Sequence, residues 1–455
     1  MDLQSINQSD GQIIEEQIVG DATLEAYNNF FDIKTAGLSF GYQFNNQWRV
    51  QARTSYDRRD FSARYFYTTS TFDKSVETTS NWWNQIQISK IGQQNSTDFN
   101  IAYRKGQDEF VFSPDFPSTN VHSTDFLNIT LNHLKIVNDA FSLKIGGQLD
   151  RRAIESTDRG NHSDWHYGVY TSGVYQPNSQ LNVVASLRLD YDDNYELEFT
   201  PQLNLSYLLP NITLRASVGK SIRAADYTER YVSFNLQDLT PGRSLGNPDL
   251  VAETSWSEEV GLDYRLTKNW ELKTTLFARQ SSNLIDYVPT NEADISRNQN
   301  LLAGENYFYA RNITNVQTKG LEVESWIRTT LNNNMKLQWS LGYTYLNTGN
   351  EEDVVSVYIA SHARHLINTN LLLTYKKLDI AINGLYKARN EQFAAGINAR
   401  LAPNYQVWNL RMGYQLHPNF GLNLQVQNVF DESYQNILGA VMPSRWLLGG
   451  IKYAF

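Results

Sequence analysis

The sequence predicts an all-β fold, a large transmembrane antiparallel up-and-down β-barrel of roughly 20–22 strands. Three observations support this. Apolar and polar residues alternate with period two along most of the chain, and very short turns alternate with longer polar connections. Aromatic residues make up 13% of a chain whose mean hydropathy is only -0.48. A barrel reconciles these values, because only one face of each strand meets lipid while the other meets a wet lumen.

The period-two alternation is clearest in the C-terminal half of the chain. In residues 334–346, Trp339 and Leu341 alternate with Gln338 and Ser340. A helix would show a period of about 3.6 residues instead. We therefore expect one set of side chains to face outward and the other to face the lumen. The outward set includes Trp339, Leu341, Trp408, Leu410, Leu422 and Leu424, and the lumen set includes Gln338, Ser340, Asn409, Asn423 and Gln425.

The connections between the strands also follow a pattern. Short periplasmic turns and long extracellular loops are typical of outer-membrane barrels. The predicted short turns lie at 45–46, 137–138, 176–178, 210–211, 267–268, 376–377 and 417–419. The predicted long connections lie near 106–121, 153–162, 224–253, 287–314, 347–363, 388–403 and 431–443.

This pattern predicts one domain, a barrel over residues 35–455. Residues 1–34 form an N-terminal segment with a weaker strand signal, and they are either the first barrel strands or the end of a preceding domain. The N-terminus lacks the basic and apolar regions of a secretory signal, so we expect the chain to begin internally.

Composition excludes several other classes of protein. No segment approaches the roughly 18 consecutive apolar residues of a membrane-spanning helix. The chain has no cysteine, which excludes disulfides and thiolate chemistry, and its net charge of -9 argues against a nucleic-acid partner. No nucleophile, zinc or phosphate-binding motif is present, so we expect a protein that is not an enzyme.

Several motifs occur in a fixed order in the second half of the chain. Arg223 lies in Ser-Ile-Arg-Ala-Ala, and Asn247 and Pro248 lie in Gly-Asn-Pro-Asp-Leu, with Glu253 following. Asn312-Ile313 is followed by Lys319-Gly320-Leu321-Glu322-Val323-Glu324. The C-terminal motif residues are Asn428, Phe430, Asp431, Tyr434 and Arg445, before a last strand that ends at Phe455.

This ordered set resembles the TonB-dependent receptors of the Gram-negative outer membrane. The resemblance implies uptake of a scarce small-molecule ligand, such as a siderophore or cobalamin, driven by the TonB system. It also implies that the family's plug would lie N-terminal to this sequence, and that the lumen-facing Arg188, Arg215, Glu322, Glu324 and Lys336 would contact that plug. Implied partners are outer-membrane lipid, lipopolysaccharide and, through the C-terminal strand, the outer-membrane assembly machinery.

Candidate ligand-binding residues are few, and each has a simpler interpretation. Asp190, Asp192, Asp193 and Glu196 supply oxygen ligands of the type that calcium needs, but they lack the spacing and glycine of an EF-hand, and a solvated acidic loop is the simpler interpretation. His362 and His365 could bind a metal or haem, or could form a polar rim. Aromatic residues in or near the connections could stack on a ligand or form the interfacial girdle: Trp82, Trp83, Tyr307, Phe308 and Tyr309.

Three functions remain open at this point. The first is a ligand-specific outer-membrane transporter that requires no cofactor. The second is a passive porin, which would have about 16–18 strands. The third is a barrel enzyme, which would need a catalytic pair near the outer rim, and the sequence shows none.

Overall fold

The computed structural model describes residues 2–15, 18–19, 22–23, 27–64, 72–237, 239–296, 300–313, 315–350, 362–389, 392–394, 399–436 and 442–453. Within these described residues, thirteen strands precede the first helix. They are β1 (Asp2–Glu15), β2 (Ile18–Val19), β3 (Ala22–Thr23), β4 (Tyr27–Gln43), β5 (Trp48–Ser62), β6 (Val76–Ile91), β7 (Asn95–Ser113), β8 (Phe116–Asn138), β9 (Phe141–Ser156), β10 (Gly160–Tyr175), β11 (Leu181–Asp192), β12 (Glu196–Leu208) and β13 (Ile212–Arg223).

The described residues of the second half form one short α-helix, a 3₁₀ turn at Glu292–Asp294 and further strands. In chain order they are α1 (Tyr227–Tyr231), β14 (Ser244–Leu245), β15 (Glu253–Thr267), β16 (Trp270–Ser282), β17 (Leu284–Asn291), β18 (Asn306–Ile313), β19 (Val316–Asn332), β20 (Met335–Asn350), β21 (His365–Tyr375), β22 (Leu378–Ala388), β23 (Gln392–Ala394), β24 (Ala399–Leu401), β25 (Asn404–His417), β26 (Phe420–Gln427) and β27 (Trp446–Tyr453).

Within the described residues, 20 of these strands form one antiparallel sheet, in which each strand pairs with the next along the chain. The order is β1, β4 to β13, β15, β16, β19 to β22, and β25 to β27. The predicted all-β, up-and-down barrel is confirmed, and its strand number falls within the predicted range. β1 pairs with β4 from Asp2 opposite Ser39 to Glu15 opposite Tyr27, so the N-terminal segment contributes a strand to the sheet.

The register separates two faces of the sheet as the alternation predicts. One row across neighbouring strands is entirely apolar: Trp339, Leu371, Ile382, Leu410, Val426 and Leu447. The adjacent row contains Ser340, Asn370, Asn383 and Asn409. In that row Asn383 donates to Asn370 at 2.6 Å and Asn370 donates to Ser340 at 3.3 Å. The apolar row is the lipid face and the hydrogen-bonded row is the lumen face, because unpaired polar groups are costly in hydrocarbon.

The accessible surface is that of a hollow molecule. It measures 27556 Å², whereas a compact monomer of 52.2 kDa would expose roughly 17,500 Å². Two clusters of fully buried apolar side chains lie outside the strand wall, in segments 224–252 and 283–315. We call the described residues of these two segments the loop cap. The barrel end that carries the loop cap is the long-loop end, and by the usual asymmetry of such barrels it is extracellular.

Two of the predicted long connections are wrong. Residues 106–121 are largely strand, because β7 continues to Ser113 and β8 begins at Phe116. Residues 153–162 are likewise occupied by the paired ends of β9 and β10. The polar composition of these residues suggested loops, but the hydrogen bonds between paired strands can continue beyond the membrane into water. The helices in the described ranges all lack the length and hydrophobicity of a membrane-spanning helix.

Candidate ligand-binding site at the long-loop end

The loop cap folds around two apolar clusters. The first contains Leu239, Leu245, Ile295, Tyr307 and Tyr309, and the second contains Ala225, Leu250, Ile285 and Ala310. Each cluster includes residues of both segments. The connection after β13 and the connection after β16 therefore pack together as one unit. Tyr307 and Tyr309 are 1% and 4% exposed, so they form the core of the cap and are not available to stack on a ligand.

Helix α1 begins the cap with a capping box. The Asp226 carboxylate accepts from the backbone N–H groups of Thr228 at 2.7 Å and Glu229 at 2.8 Å. The Glu229 carboxylate in turn accepts from the Asp226 N–H at 2.9 Å. These contacts satisfy donors that a helix start otherwise leaves unpaired, which allows such a short helix to form.

Arg223 joins three parts of the cap. Its guanidinium donates to the Glu253 carboxylate at 2.7 and 2.6 Å and to the Glu229 carboxylate at 2.9 and 2.9 Å. Glu253 also accepts from the backbone N–H of Ile285 at 2.8 Å. Because Arg223 ends β13, Glu253 begins β15 and Ile285 lies in β17, these charge-assisted bonds hold the base of the cap to the barrel rim.

The Gly-Asn-Pro motif passes directly beneath α1. The Gly246 N–H donates to the Val232 carbonyl and the Asn247 N–H donates to the Glu229 carbonyl, both at 2.9 Å. A Cβ at Gly246 would lie 2.6 Å from the Arg230 carbonyl oxygen, so only glycine allows this approach. Asn247 accepts from the Asp249 N–H at 3.0 Å, across the half-buried Pro248.

The cap rests on the lumen face of β9 and β10. The Tyr231 ring stacks on His162 with centroids 3.5 Å apart and planes 5° apart. The Tyr227 hydroxyl donates to the Arg152 carbonyl at 3.0 Å, and Arg230 pairs with Asp164 at 3.4 Å. Burial, and then the charge of Asp164, raise the pKa of the Tyr227 phenol, so it stays a neutral donor. The loop after β13 thus covers part of the lumen mouth.

Three of the four predicted calcium ligands, Asp190, Asp192 and Asp193, have other partners. Asp190 pairs with Arg188 at 2.6 Å and with His166 at 3.0 Å, and Asp192 pairs with Arg152 and with His166 at 3.2 Å. Asp193 accepts from the Trp165 N–H at 2.7 Å, and Glu196 lies at the turn with a φ of 59°. No group of three or more His, Asp or Glu side chains in the described ranges is arranged to hold a metal. Asp190, Asp192 and Asp193 are already ion-paired or hydrogen-bonded within the protein. Calcium binding stays a prediction.

A recess of about 560 Å³ lies on the lumen face near the long-loop end. Its lining includes the cationic side chains of Arg279 and Lys387, the carboxylate of Glu259, the ring of Phe277 and His362. Phe277 lies across Gly320, where a Cβ would collide with its ring. The recess therefore offers two basic side chains, one carboxylate and an aromatic surface, a combination suited to an anionic ligand with a flat or apolar part.

The two predicted histidines, His362 and His365, have different surroundings. His362 lines the recess, whereas His365 hydrogen-bonds the Tyr343 hydroxyl at 3.0 Å and packs beside Tyr345 on the lipid face. His365 is thus part of the aromatic girdle. Trp82 belongs to the same face, and Trp83 lies on the lumen face with Arg104 5.1 Å from its ring.

Residues of the C-terminal motif hold the chain after β26 in place by hydrogen bonds. Asn428 is 3% exposed, and its side chain donates to the Glu432 carbonyl and accepts from the Glu432 N–H, both at 2.9 Å. Asp431 accepts from the Arg445 N–H at 2.8 Å. Asn428 and Asp431 have φ values of 49° and 57°, a conformation that Asn and Asp tolerate better than most residues.

The remaining C-terminal motif residues differ in their surroundings. Tyr434 stacks on Tyr405 with centroids 4.7 Å apart, while Phe430 is 64% exposed. Phe455 lies outside the described residues. The sequence analysis missed Arg389, which donates to the carbonyl groups of Ala402, Gln435 and Asn436 at 2.7 to 3.0 Å. A lone arginine at a strand end carries no local signal for such a role.

The barrel, its loop cap and its lumen recess define a class of outer-membrane receptor barrels. The family model for the TonB dependent receptor-like β-barrel matches residues 6–429, and the chain belongs to this family. The resemblance inferred from the motifs is confirmed, and so is the outer-membrane location.

Characterised relatives include the vitamin B12 transporter BtuB of Vibrio vulnificus and the ferric enterobactin receptor PirA of Pseudomonas aeruginosa. The first is 24% identical over 294 residues, covering 63% of this chain and 42% of the relative. The second is 24% identical over 273 residues, covering 55% of this chain and 35% of the relative. The chain thus spans less than half the length of these relatives.

Solved structures agree in fold. The siderophore receptor PirA from Acinetobacter baumannii superposes with a TM-score of 0.74 at 15% identity, covering 94% of this chain and 71% of that one. The outer membrane transporter YddB from Escherichia coli superposes with the same score at 10% identity, covering 98% and 72%. At these identities the likeness establishes the fold alone.

Proposed function

We propose that this chain is the barrel of an outer-membrane receptor for uptake of a scarce nutrient, a siderophore-like or cobalamin-like ligand, with its binding region at the long-loop end. The observation that carries the proposal is the lumen recess lined by Arg279, Lys387 and Phe277. Its volume lies within the range of about 300–1,000 Å³ found for small-molecule sites. The proposal includes uptake driven by the TonB system, and this part of it rests on family membership.

The chemistry of the recess favours an anionic metal chelate as the first ligand to test. Arginine and lysine bind anionic oxygens by charge-assisted hydrogen bonds, and Phe277 offers a flat apolar surface. The names of several relatives specify ferric enterobactin, and another specifies vitamin B12. Cobalamin is therefore the second ligand to test. A passive porin remains the alternative function, and it predicts no saturable binding of either ligand.

The test is a titration of the detergent-solubilised chain with ferric enterobactin and with cyanocobalamin, followed by tryptophan fluorescence. We expect saturable binding of one ligand. Lys387→Gln should lower its affinity about tenfold, because a hydrogen bond to a charged group contributes about 1.5–3 kcal/mol. Phe277→Ala should lower the affinity by about the same factor, because it removes the flat apolar surface of the recess. The control is Lys273→Gln, which removes a lumen cation outside the recess. Binding of neither ligand, or equal losses in all three variants, would contradict the proposal.

A further inference from the structure

Trp83 is an aromatic residue that the interfacial girdle does not explain. Residues of the girdle point outward, whereas Trp83 points into the lumen and is 45% exposed there. It lies in one row of the lumen face with Arg104 and Phe126, on the three neighbouring strands β6 to β8. The Arg104 guanidinium lies 5.1 Å from the centre of the Trp83 ring. The row therefore places a cation between two aromatic residues.

Arg104 has no anionic partner in the part of the chain that the structure describes. Its guanidinium forms no ion pair there, and its Nε is buried without a hydrogen-bond acceptor. Arg188 in the lumen, by contrast, pairs with Asp190 at 2.6 Å. Arg215 pairs with Asp263 at 2.8 Å. A buried donor without an acceptor is unfavourable, and a guanidinium that stacks on a ring still presents N–H groups in its own plane. Arg104 is therefore placed to bind a carboxylate from outside the chain.

A trough runs from Arg104 along the lumen face of β7 towards the short-turn end. Its floor is the small residue Ala102, which lies between Gln85 on β6 and Asn128 on β8. The next lumen-facing residue of β7, Asn100, borders a hollow of about 300 Å³. The polar lining of this hollow includes Gln87, Asp98, Asn132 and Lys144. At about 3.3 Å per residue, the trough from Arg104 to Asp98 is about 20 Å long.

The lining of the trough suits a ligand with many hydroxyl groups. Amide side chains both donate and accept, and the Gln85 amide has no hydrogen-bond partner within the described ranges. The Asp98 carboxylate accepts from Ser89 at 2.6 Å and from Gln87 at 3.3 Å, and it can accept further hydrogen bonds. The negative face of an aromatic ring such as Trp83 attracts the C–H groups on one face of a sugar ring. Amides, a carboxylate and an aromatic platform together favour a saccharide.

We propose that this trough binds a short acidic oligosaccharide of the hexuronate type. A sugar carboxylate accepts from Arg104, and the C–H face of the same sugar packs on Trp83. Hydroxyls of the next sugars bond to the amides of Gln85 and Asn128. The unpaired guanidinium selects an acidic sugar over a neutral one, and the amides select a polyol over an aromatic acid, which has no hydroxyls to reach them. The trough lies on β6 to β9, whereas the recess of the proposed nutrient site lies on β15 to β22, so the two sites are separate.

A second tryptophan–arginine pair in the lumen supplies a matched control. Arg328 lies 5.3 Å from the centre of the Trp326 ring on β19. Glu271 lies opposite Trp326 in the sheet, and Glu324 accepts from the Trp326 indole N–H at 3.3 Å. Two carboxylates beside the ring repel an acidic sugar, so this pair should not bind one.

The test is isothermal titration calorimetry of the detergent-solubilised chain with three probes: trigalacturonate, the neutral trisaccharide maltotriose and the aromatic acid benzoate. We expect saturable binding of trigalacturonate, and binding of the other two that is weaker by about tenfold or more. Arg104→Gln, Trp83→Leu and Ala102→Leu, which fills the floor of the trough, should each lower the affinity for trigalacturonate about tenfold. Heat-modifiable mobility on gels verifies that each variant is folded.

The control variants Arg328→Gln and Trp326→Leu should bind trigalacturonate as the wild type does. Three outcomes would overturn the proposal. They are no binding of trigalacturonate to the folded chain, equal affinity for trigalacturonate and either other probe, and equal losses in the trough variants and the control variants. None of these outcomes depends on whether ferric enterobactin or cyanocobalamin binds at the proposed nutrient site.

Discussion

Arg223 at the end of β13 and Glu253 at the start of β15 form a bidentate ion pair, with nitrogen–oxygen distances of 2.7 and 2.6 Å, across 30 residues of chain. The whole first segment of the loop cap lies between them. The pair therefore closes the base of the cap, and Glu229 adds a second pair of bonds to the same guanidinium. Two motif residues that the sequence identified by resemblance thus have a structural role in anchoring the cap.

Replacing Glu253 by Gln should loosen the cap without unfolding the barrel. The Glu253 side chain is 15% exposed, so the loss of its charge weakens bonds that are largely shielded from water. We expect a cost of about 1–2 kcal/mol for cap closure, which corresponds to roughly 5–30-fold faster cleavage of segment 224–252 in limited proteolysis. Glu305→Gln, an exposed carboxylate of the cap, is the control, and cleavage at the same rate in both variants would contradict this role.

A methyl group at Gly246 should displace α1. The added Cβ of Gly246→Ala would meet backbone atoms of Arg230, which cannot rotate away as a side chain can. We expect a cost of about 1–3 kcal/mol, the usual range for overpacking, and easier proteolysis of the cap. Gly349→Ala adds the same group to a strand where nothing lies within 4 Å, and it should be neutral. A neutral Gly246→Ala would show that the cap does not need this close approach.

An arginine on the lipid face should destabilise the barrel. Leu424 is 44% exposed on the lipid face of β26, and Leu424→Arg should cost about 2–4 kcal/mol in unfolding experiments in lipid bilayers. Gln425→Arg places the same side chain on the lumen face and should change the free energy of unfolding far less. Equal losses for both variants would mean that the two faces are assigned wrongly.

The last strand should matter more for assembly than for ligand binding. Leu447, Ile451 and Tyr453 are 72%, 71% and 66% exposed on the lipid face of β27. Phe455 continues this spacing in the sequence but lies outside the described residues. Deletion of Phe455, or Tyr453→Ala, should reduce insertion into the outer membrane, as judged by heat-modifiable mobility in cells. Normal insertion of both variants would refute the role.

The sequence predicted the sheet because its signal is local. Alternation in β20, β25 and β26 identifies each strand and its two faces, and short turns such as Lys376-Lys377 identify the register of neighbours. The ends of β7 to β10 were predicted as loops because their residues are polar. Outside the bilayer a strand needs no apolar face, so hydropathy cannot show where such a strand ends.

The binding region was much less predictable. The lumen recess joins Glu259, Phe277 and Lys387 from three strands, and only the register of the folded sheet brings them together. The aromatic run at Tyr307 suggested a ligand surface, yet packing between two distant loops buries it. Asp190 and Asp192 suggested calcium. Arg188, the partner of Asp190, lies two residues earlier on the same strand, whereas Arg152, the partner of Asp192, lies on β9 and reaches it only across β10 in the folded sheet.

The most direct test of the central claim, a receptor barrel with a polar lumen and a ligand site at its long-loop end, is the conductance of the 455-residue chain in a planar bilayer. We expect a large, poorly selective conductance, because polar rows line the lumen, and we expect the preferred nutrient to reduce it when added on the long-loop side. The chain alone should let ions and small solutes pass without concentrating the nutrient. A closed, non-conducting barrel, or a conductance that neither ferric enterobactin nor cyanocobalamin changes, would contradict the account.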